Sequence, residues 1–245
     1  MPRFIVVGAH HDDCEWLFGG LALLLKDLGW TVRFVVLTNT AAGADGEKIR
    51  TEARQQELKG LKSAEVLGIE KRFLGFPSCD DRVSMHEMTT ALANEITEFE
   101  PDIVGCDWPR SAHPDHRRAG MAALTATRRE YFSSAPRTKS VGEIICASAY
   151  TYGEFPADFI VNISEHWERL CTAFKSFPEF ENLRGNNLIL TKDKYHIDRD
   201  ANLHWEHIET FALIKPHPQE ITILRDVLTG KFRWLEKHVA RELVF

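Results

Sequence analysis

The chain opens on an unbroken apolar run, Phe4-Ile5-Val6-Val7, that stops at Gly8. Such a run suits a strand buried on both faces of a parallel sheet. From Cys14 to Leu28 the apolar positions become Trp16, Leu17, Leu21, Leu24, Leu25 and Leu28, the stripe of an amphipathic helix, with Gly29 as its stop. The alternation then repeats. Val32–Leu37 is rich in β-branched residues and predicts a second strand, and a small-residue loop leads to a helix over Glu47–Leu67, stopped by Gly68. Phe73–Phe76 predicts a third strand, Met85–Phe99 a helix and Ile103–Cys106 a fourth strand. Strands alternating with helices imply right-handed crossovers and an α/β fold: a doubly wound, Rossmann-like, mostly parallel sheet.

Beyond residue 116 the pattern loosens. Arg117–Tyr131 predicts a helix, Glu143–Ala147 and Phe159–Ile163 short strands, and Glu165–Phe174 another helix. Residues 182–205 are polar and irregular, suited to loops over a site, and helices are predicted at Gln219–Leu228 and Phe232–Leu243. With no repeat and no low-complexity linker, residues 1–245 read as one domain. Its core spans 1–135, and 136–245 complete the fold and cover the site.

Composition narrows function by exclusion. A formal net charge of −6, spread along 245 residues, argues against a nucleic-acid partner, which calls for a basic stripe. No apolar stretch approaches the roughly 20 residues of a membrane span, and Met1-Pro2-Arg3 begins no charged-then-apolar leader. The five cysteines form no CxxC pair and read as reduced intracellular thiols. A soluble, cytoplasmic chain is the expectation.

Two short clusters carry the chemistry: His10-His11-Asp12-Asp13 after the first strand, and His113-Pro114-Asp115-His116 beyond the fourth. In a doubly wound sheet these strands can be neighbours at the switch point, where ligands bind beyond the carboxyl ends. His10, Asp13 and His116 would then offer two imidazole nitrogens and one carboxylate oxygen to a metal. Three ligands with an open position describe a catalytic zinc site, or another divalent metal, rather than a closed structural one. Asp12 is placed to take a proton from water as general base, and His113 to steady a developing oxyanion and protonate a leaving group. Asp115 is placed to orient an imidazole. Plainer readings compete: a lone histidine is more often a surface residue, and Asp12 and Asp13 could cap the helix that follows. Two clusters at two buried strand ends outweigh them.

The run Ala9-His10-His11-Asp12-Asp13-Cys14-Glu15, with Gly19-Gly20 soon after, resembles the AHPDD-type motif of the PIG-L/LmbE-like zinc N-deacetylases. His113-Pro114-Asp115-His116-Arg117 resembles that family's second motif, HPDHR. The likeness continues through the Thr38 loop, Arg54-Gln55-Gln56-Glu57, Leu74-Gly75-Phe76-Pro77 and, more faintly, His207-Ile208-Glu209-Thr210-Phe211. The resemblance implies zinc ligands at His10, Asp13 and His116, a general base at Asp12, and at His113 the histidine that assists the tetrahedral intermediate. It also implies substrate contacts at Arg54 and Asp80, although Arg54 has a plainer reading as an exposed pair with Glu57. The implied reaction is hydrolysis of an N-acetyl or N-acyl amide on a small amino sugar or glycoconjugate, such as an N-acetylglucosamine derivative. A homo-oligomer is left open. Two other readings stand beside this one: a metal-dependent amidase of a larger thiol- or lipid-linked conjugate, and a non-catalytic sugar-binding relative.

Several residues depart from that pattern or admit a second role. His11 replaces the usual proline, so the loop loses a fixed φ and gains a titratable group; a solvent-facing place, or one behind the ligands, is expected. Ser111 stands where an acidic residue often precedes the second motif, and the family's late lysine and histidine pattern is not evident around Arg169–Phe177. Trp108, between the fourth strand and His113, is the candidate sugar platform among six tryptophans. Cys14 is expected to pack inward, and His204 and His207 to lie on the surface or in loops. Gly19-Gly20 lacks dinucleotide spacing and suits close helix–sheet packing.

Overall fold

The computed structural model describes residues 1–40, 47–78, 83–128, 141–149, 155–178, 205, 207–215 and 223–234. Five parallel strands form the first part of the sheet: β1 (Arg3–Gly8), β2 (Thr31–Thr40), β3 (Glu70–Pro77), β4 (Ile103–Asp107) and β5 (Glu143–Ala147), in the order β3-β2-β1-β4-β5. Helices α1 (Asp13–Asp27), α2 (Glu47–Leu67), α3 (Met85–Phe99) and α4 (Pro114–Ala126) follow β1 to β4 in turn. Side chains alternate across a strand, and here both faces are covered. Phe4 and Val6 pack with α1, while Ile5 and Val7 pack with α3 and α4. That double burial is why β1 reads as a continuous apolar run.

The rest of the chain extends the sheet with antiparallel pairings. β6 (Phe159–Asn162), a 3-10 turn at Ser164–His166, α5 (Trp167–Phe174), β7 (Ile208–Lys215), α6 (Ile223–Val227) and β8 (Phe232–Trp234) give the order β5-β7-β6-β8. The sequence pattern did not predict β7. The helix expected from Phe232 is corrected: residues 232–234 pair with β6, because Phe232 and Trp234 alternate around Arg233 and both rings pack on Phe159, at 4.7 and 5.7 Å. Residues 182–204, 219–222 and 235–243, where loops and helices were expected, lie outside the described residues. Among the described residues no helix is long and apolar enough to cross a membrane, and Cys14, Cys106, Cys146 and Cys171 are free thiols.

β7 also fastens the two parts of the molecule together. The buried Glu209 carboxylate accepts the N–H groups of Gly20 and Leu21 in α1 at 2.7 and 2.8 Å. Burial pushes its carboxyl up to about 8, against the pull of those two amides. Gly19 and Gly20 do allow a close approach, but not of the sheet: a Cβ on either would lie 2.4 Å from Leu170 or Ile163, so the room is taken by α5 and the residue after β6.

The chain winds from β1 outward to β3, then crosses back to β4 on the other side of β1. That reversal is the topological switch point, and it sets the loops after β1 and β4 side by side. α4 begins at Pro114, earlier than the expected Arg117, since proline at the first helical position sacrifices no helical hydrogen bond and the His113 ring accepts the Asp115 N–H at 3.3 Å. At Gly120 the helix lies directly on the end of β4: a Cβ there would stand 2.3 Å from the Asp107 carbonyl oxygen. His116, one turn earlier, is thereby held over Asp107.

Candidate metal centre

Residues 9–12 leave β1 and turn into α1, whose first residue is Asp13. The Asp13 carboxylate folds back on the loop. Its Oδ2 accepts the His10 backbone N–H at 2.6 Å and lies 3.2 Å from His10 Nδ1 and 3.5 Å from His116 Nε2. The opposite nitrogens are also engaged: His116 Nδ1 is 2.7 Å from Asp107 Oδ1, and His10 Nε2 is 3.2 Å from Asp115 Oδ2. Each imidazole therefore turns one nitrogen toward Asp13 and has the other fixed by a buried carboxylate. Proteins orient metal-binding histidines, and raise their basicity, in this way. The rings of His10, His113 and His116 stand pairwise 5.0 Å apart. Two donor sets share His116, one with His10 and His113 and one with Asp13 and Asp107, each within 4.8 Å. The donor chemistry fits a divalent ion such as zinc.

Asp107 was not singled out by motif spacing, yet it joins the two loops. Beyond its bond with His116, its Oδ2 accepts the Ala9 N–H at 3.1 Å. The signal for it was available: a carboxylate closing a fully buried strand next to a polar loop. Asp115 does meet an imidazole, that of His10, and its Oδ1 lies 3.7 Å from Arg118. Asp12 starts α1 without a side-chain capping bond, so the capping reading fails there, and its Oδ1 lies 3.7 Å from His11 Nδ1.

Four carboxylates face four imidazoles, His11 beside Asp12 among them, and the charge balance follows. Burial opposes a charged His10, but hydrogen bonds with Asp115 and Asp13 overcome it and raise the ring to about 11. Burial likewise opposes a charged His116, and Asp107 and Asp13 prevail, raising it to about 9. Asp13 is buried, yet His116 and His10 bring its carboxyl down to about 2. At Asp107 burial wins over His116 and pushes the carboxyl up to about 6. Asp12 is raised by burial and by the Asp13 charge, and His113 is lowered by burial and by its two histidine neighbours. The cluster concentrates buried negative charge that attracts protons or a cation, and binding the cation releases the protons.

The remaining expected residues divide. His11 is buried rather than solvent-facing, edge-on to Phe177 at 5.4 Å. Arg54 is 65% exposed and pairs with Glu57 at 3.3 Å, the plainer of its two readings. Asp80 and His204 lie outside the described residues. Trp108 is half-buried against Phe155 at 5.6 Å, Ser111 is buried, and Cys14 packs inward against the backbone of β1 and β2. His207 stacks on Trp167 at 3.9 Å.

Comparison with known proteins places these features in context. The model of the family described as GlcNAc-PI de-N-acetylase, PIG-L, matches residues 5–127, a span that contains both clusters. The N,N'-diacetylchitobiose deacetylase of Pyrococcus horikoshii is similar in structure, with 22% identity, a TM-score of 0.71, and 92% of this chain and 88% of that chain covered. The 4-carboxy-2-hydroxymuconate hydratase of Pseudomonas putida KT2440 has 19% identity and a TM-score of 0.71 over 91% of this chain and 100% of its own. A deacetylase of the A40926 pseudoaglycone has 16% identity and a TM-score of 0.65 over 86% and 97%. At such identities the likeness establishes a shared fold.

Proposed function

The chain belongs to the GlcNAc-PI de-N-acetylase (PIG-L) family of N-deacetylases, and from that premise we propose that it is a zinc-dependent hydrolase that removes an N-acetyl, or related N-acyl, group from a small amino sugar or glycoconjugate. The observation that carries this reading is the convergence of His10 and His116 on Asp13, with the far nitrogen of each ring held by a carboxylate. The amino-sugar class is supported by the family's own description and by the similar deacetylases of diacetylchitobiose and a pseudoaglycone.

Zinc held by His10, Asp13 and His116 supplies Lewis-acid polarisation of an amide carbonyl and acidifies water toward neutrality. Asp12, next to a ligand and free of capping duty, takes the proton of the attacking water. His113 accepts the Asp115 N–H at Nδ1, which leaves the proton of its neutral ring on Nε2. That N–H steadies the carbonyl oxygen as negative charge develops, and the proton taken up by Asp12 passes to the departing nitrogen. Asp115 and Asp107 keep His10 and His116 in register. We read residues 1–245 as one such domain, with 1–135 supplying both clusters.

The test is metal analysis of the purified protein together with a screen of N-acetylglucosamine derivatives for free-amine release. One divalent ion per chain, lost in His116→Ala, and amine release lost in Asp12→Asn with the metal retained, are the expected results. Protein that carries no stoichiometric divalent metal, and loses none on His116→Ala, overturns the reading. Metal-dependent turnover without amine release would shift it toward the chemistry of the hydratase relative.

A further inference from the structure

We propose that Lys71 is a positioning residue for this site, holding the peptide on which Asp12 is carried. Lys71 lies on β3, outside both clusters. Its ammonium and the Glu15 carboxylate, in the first turn of α1, are both 0% exposed and 2.6 Å apart. Nζ donates to both Glu15 oxygens, at 2.8 and 2.6 Å, and to the backbone carbonyl of His11 at 2.5 Å. The peptide unit is planar, so fixing the His11 carbonyl fixes the plane whose far end is the Asp12 Cα. The Glu15 bonds anchor the same ammonium to the helix that begins with Asp13. One cation thus ties the loop between His10 and Asp12 to the helix carrying Asp13.

The surroundings separate this role from stabilisation. The rings of Phe34, Phe73 and Phe177 lie 5.8 to 5.9 Å from Nζ. α2 closes over the tie at Gly60, where a Cβ would stand 2.8 Å from Phe73, 3.0 Å from the His11 carbonyl oxygen and 3.3 Å from Nζ. An ion pair in such a cage bears a desolvation penalty, and apolar replacements of similar volume often leave a protein equally or more stable. Such replacements cannot supply a donor to the His11 carbonyl. That bond matters here because position 11 lacks the proline of the motif this loop resembles. Without a ring to fix φ, the Lys71 bond supplies a restraint on this stretch from outside the loop.

The inference rests on the roles given above to His10, Asp12 and Asp13, and its test uses the full-length protein. Lys71→Met alone strands a buried carboxylate, so the informative variant is Glu15→Leu/Lys71→Met, which removes both charges. Three quantities are measured for it and for the wild type: melting temperature, zinc affinity by chelator competition, and kcat and KM for amine release from an N-acetylglucosamine derivative. The expected result is a melting temperature within a few degrees of wild type, zinc binding about tenfold weaker or more, and kcat reduced at least about tenfold with KM held within about twofold. A folded double variant with wild-type zinc affinity and kcat overturns the proposal. A double variant that does not fold overturns it too, because the pair would then be a requirement of the core. Wild-type protein that binds no zinc is a different failure, one that removes the functional reading itself.

Discussion

The loop leaving β4 is held by its own residues. His113 accepts the N–H of Asp115, Pro114 opens α4, and Arg117 donates to the Ser111 carbonyl at 3.2 Å. The loop leaving β1 has its own bond, from the His10 N–H to Asp13, but is held mainly by residues far along the chain. Thr38 donates twice to the Ala9 carbonyl, from its N–H at 2.9 Å and its hydroxyl at 2.8 Å, and the Ala9 N–H goes to Asp107. Lys71 takes the His11 carbonyl. The second loop therefore leans more on its own few residues, and the first more on strands far along the chain.

Asp107→Asn tests that contrast most severely, since it alters a carboxylate that bonds the Ala9 N–H of one loop and His116 beyond the other. Zinc affinity is expected to fall about 10- to 100-fold, read by chelator competition; a change within twofold would mean that the loops are set independently. The remote restraint extends into α1 through Glu209, and there pH is the probe. The folded pKa of about 8 lies above the ordinary 4.5, so the protonated form is favoured in the fold. The stability it contributes is complete below about 4.5 and is lost as pH rises through about 8. Glu209→Gln does not titrate, so its melting temperature should gain on wild type by about 5 °C between pH 6 and pH 9. A gap that stays constant with pH would show a carboxylate ionised throughout.

Thr38→Val keeps the backbone bond to Ala9 and deletes the hydroxyl one. A loss of about 1 kcal/mol, or roughly 2–4 °C in melting temperature, is expected, with a several-fold fall in kcat because the first loop loosens. Pro114→Ala is the smallest. On the self-held side it should lower stability by about 0.4–1 kcal/mol and leave zinc affinity within twofold. A Pro114→Ala variant that lost more zinc affinity than Thr38→Val would reverse the comparison.

The same contrast explains what could be read from the chain. Both clusters were legible because their residues are neighbours in sequence at the ends of apolar runs, and β1, β2, β4 and β5 because two-sided burial leaves a largely apolar signature; the edge strand β3 showed only in its apolar segment Phe73–Phe76. Lys71 was not legible as part of the site, and Asp107 only through its place at the end of a fully buried strand. Each acts on a group 60 or 98 residues away, and nothing local marks a buried lysine from a surface one. β7 was hidden by Glu209, a charged residue on a buried strand, and β8 by its three-residue length. Arg54, matched through its motif alone, pairs with Glu57 on the exposed side of α2.

The clamp from Glu209 onto α1 also imposes an order on how the molecule comes into being. Its two partners, Gly20 and Leu21, lie 189 and 188 residues upstream. At ordinary ribosomal speeds of about 5–20 residues per second, that is a delay of roughly 10–40 s between the first turns of α1 leaving the ribosome and its clamp becoming available. Once residue 116 has emerged, for about the second half of that interval, the nascent chain holds every histidine and aspartate of both clusters, on a sheet still lacking β7. An ion held by the two clusters, as proposed, would thus bind before the sheet is complete and take part in maturation.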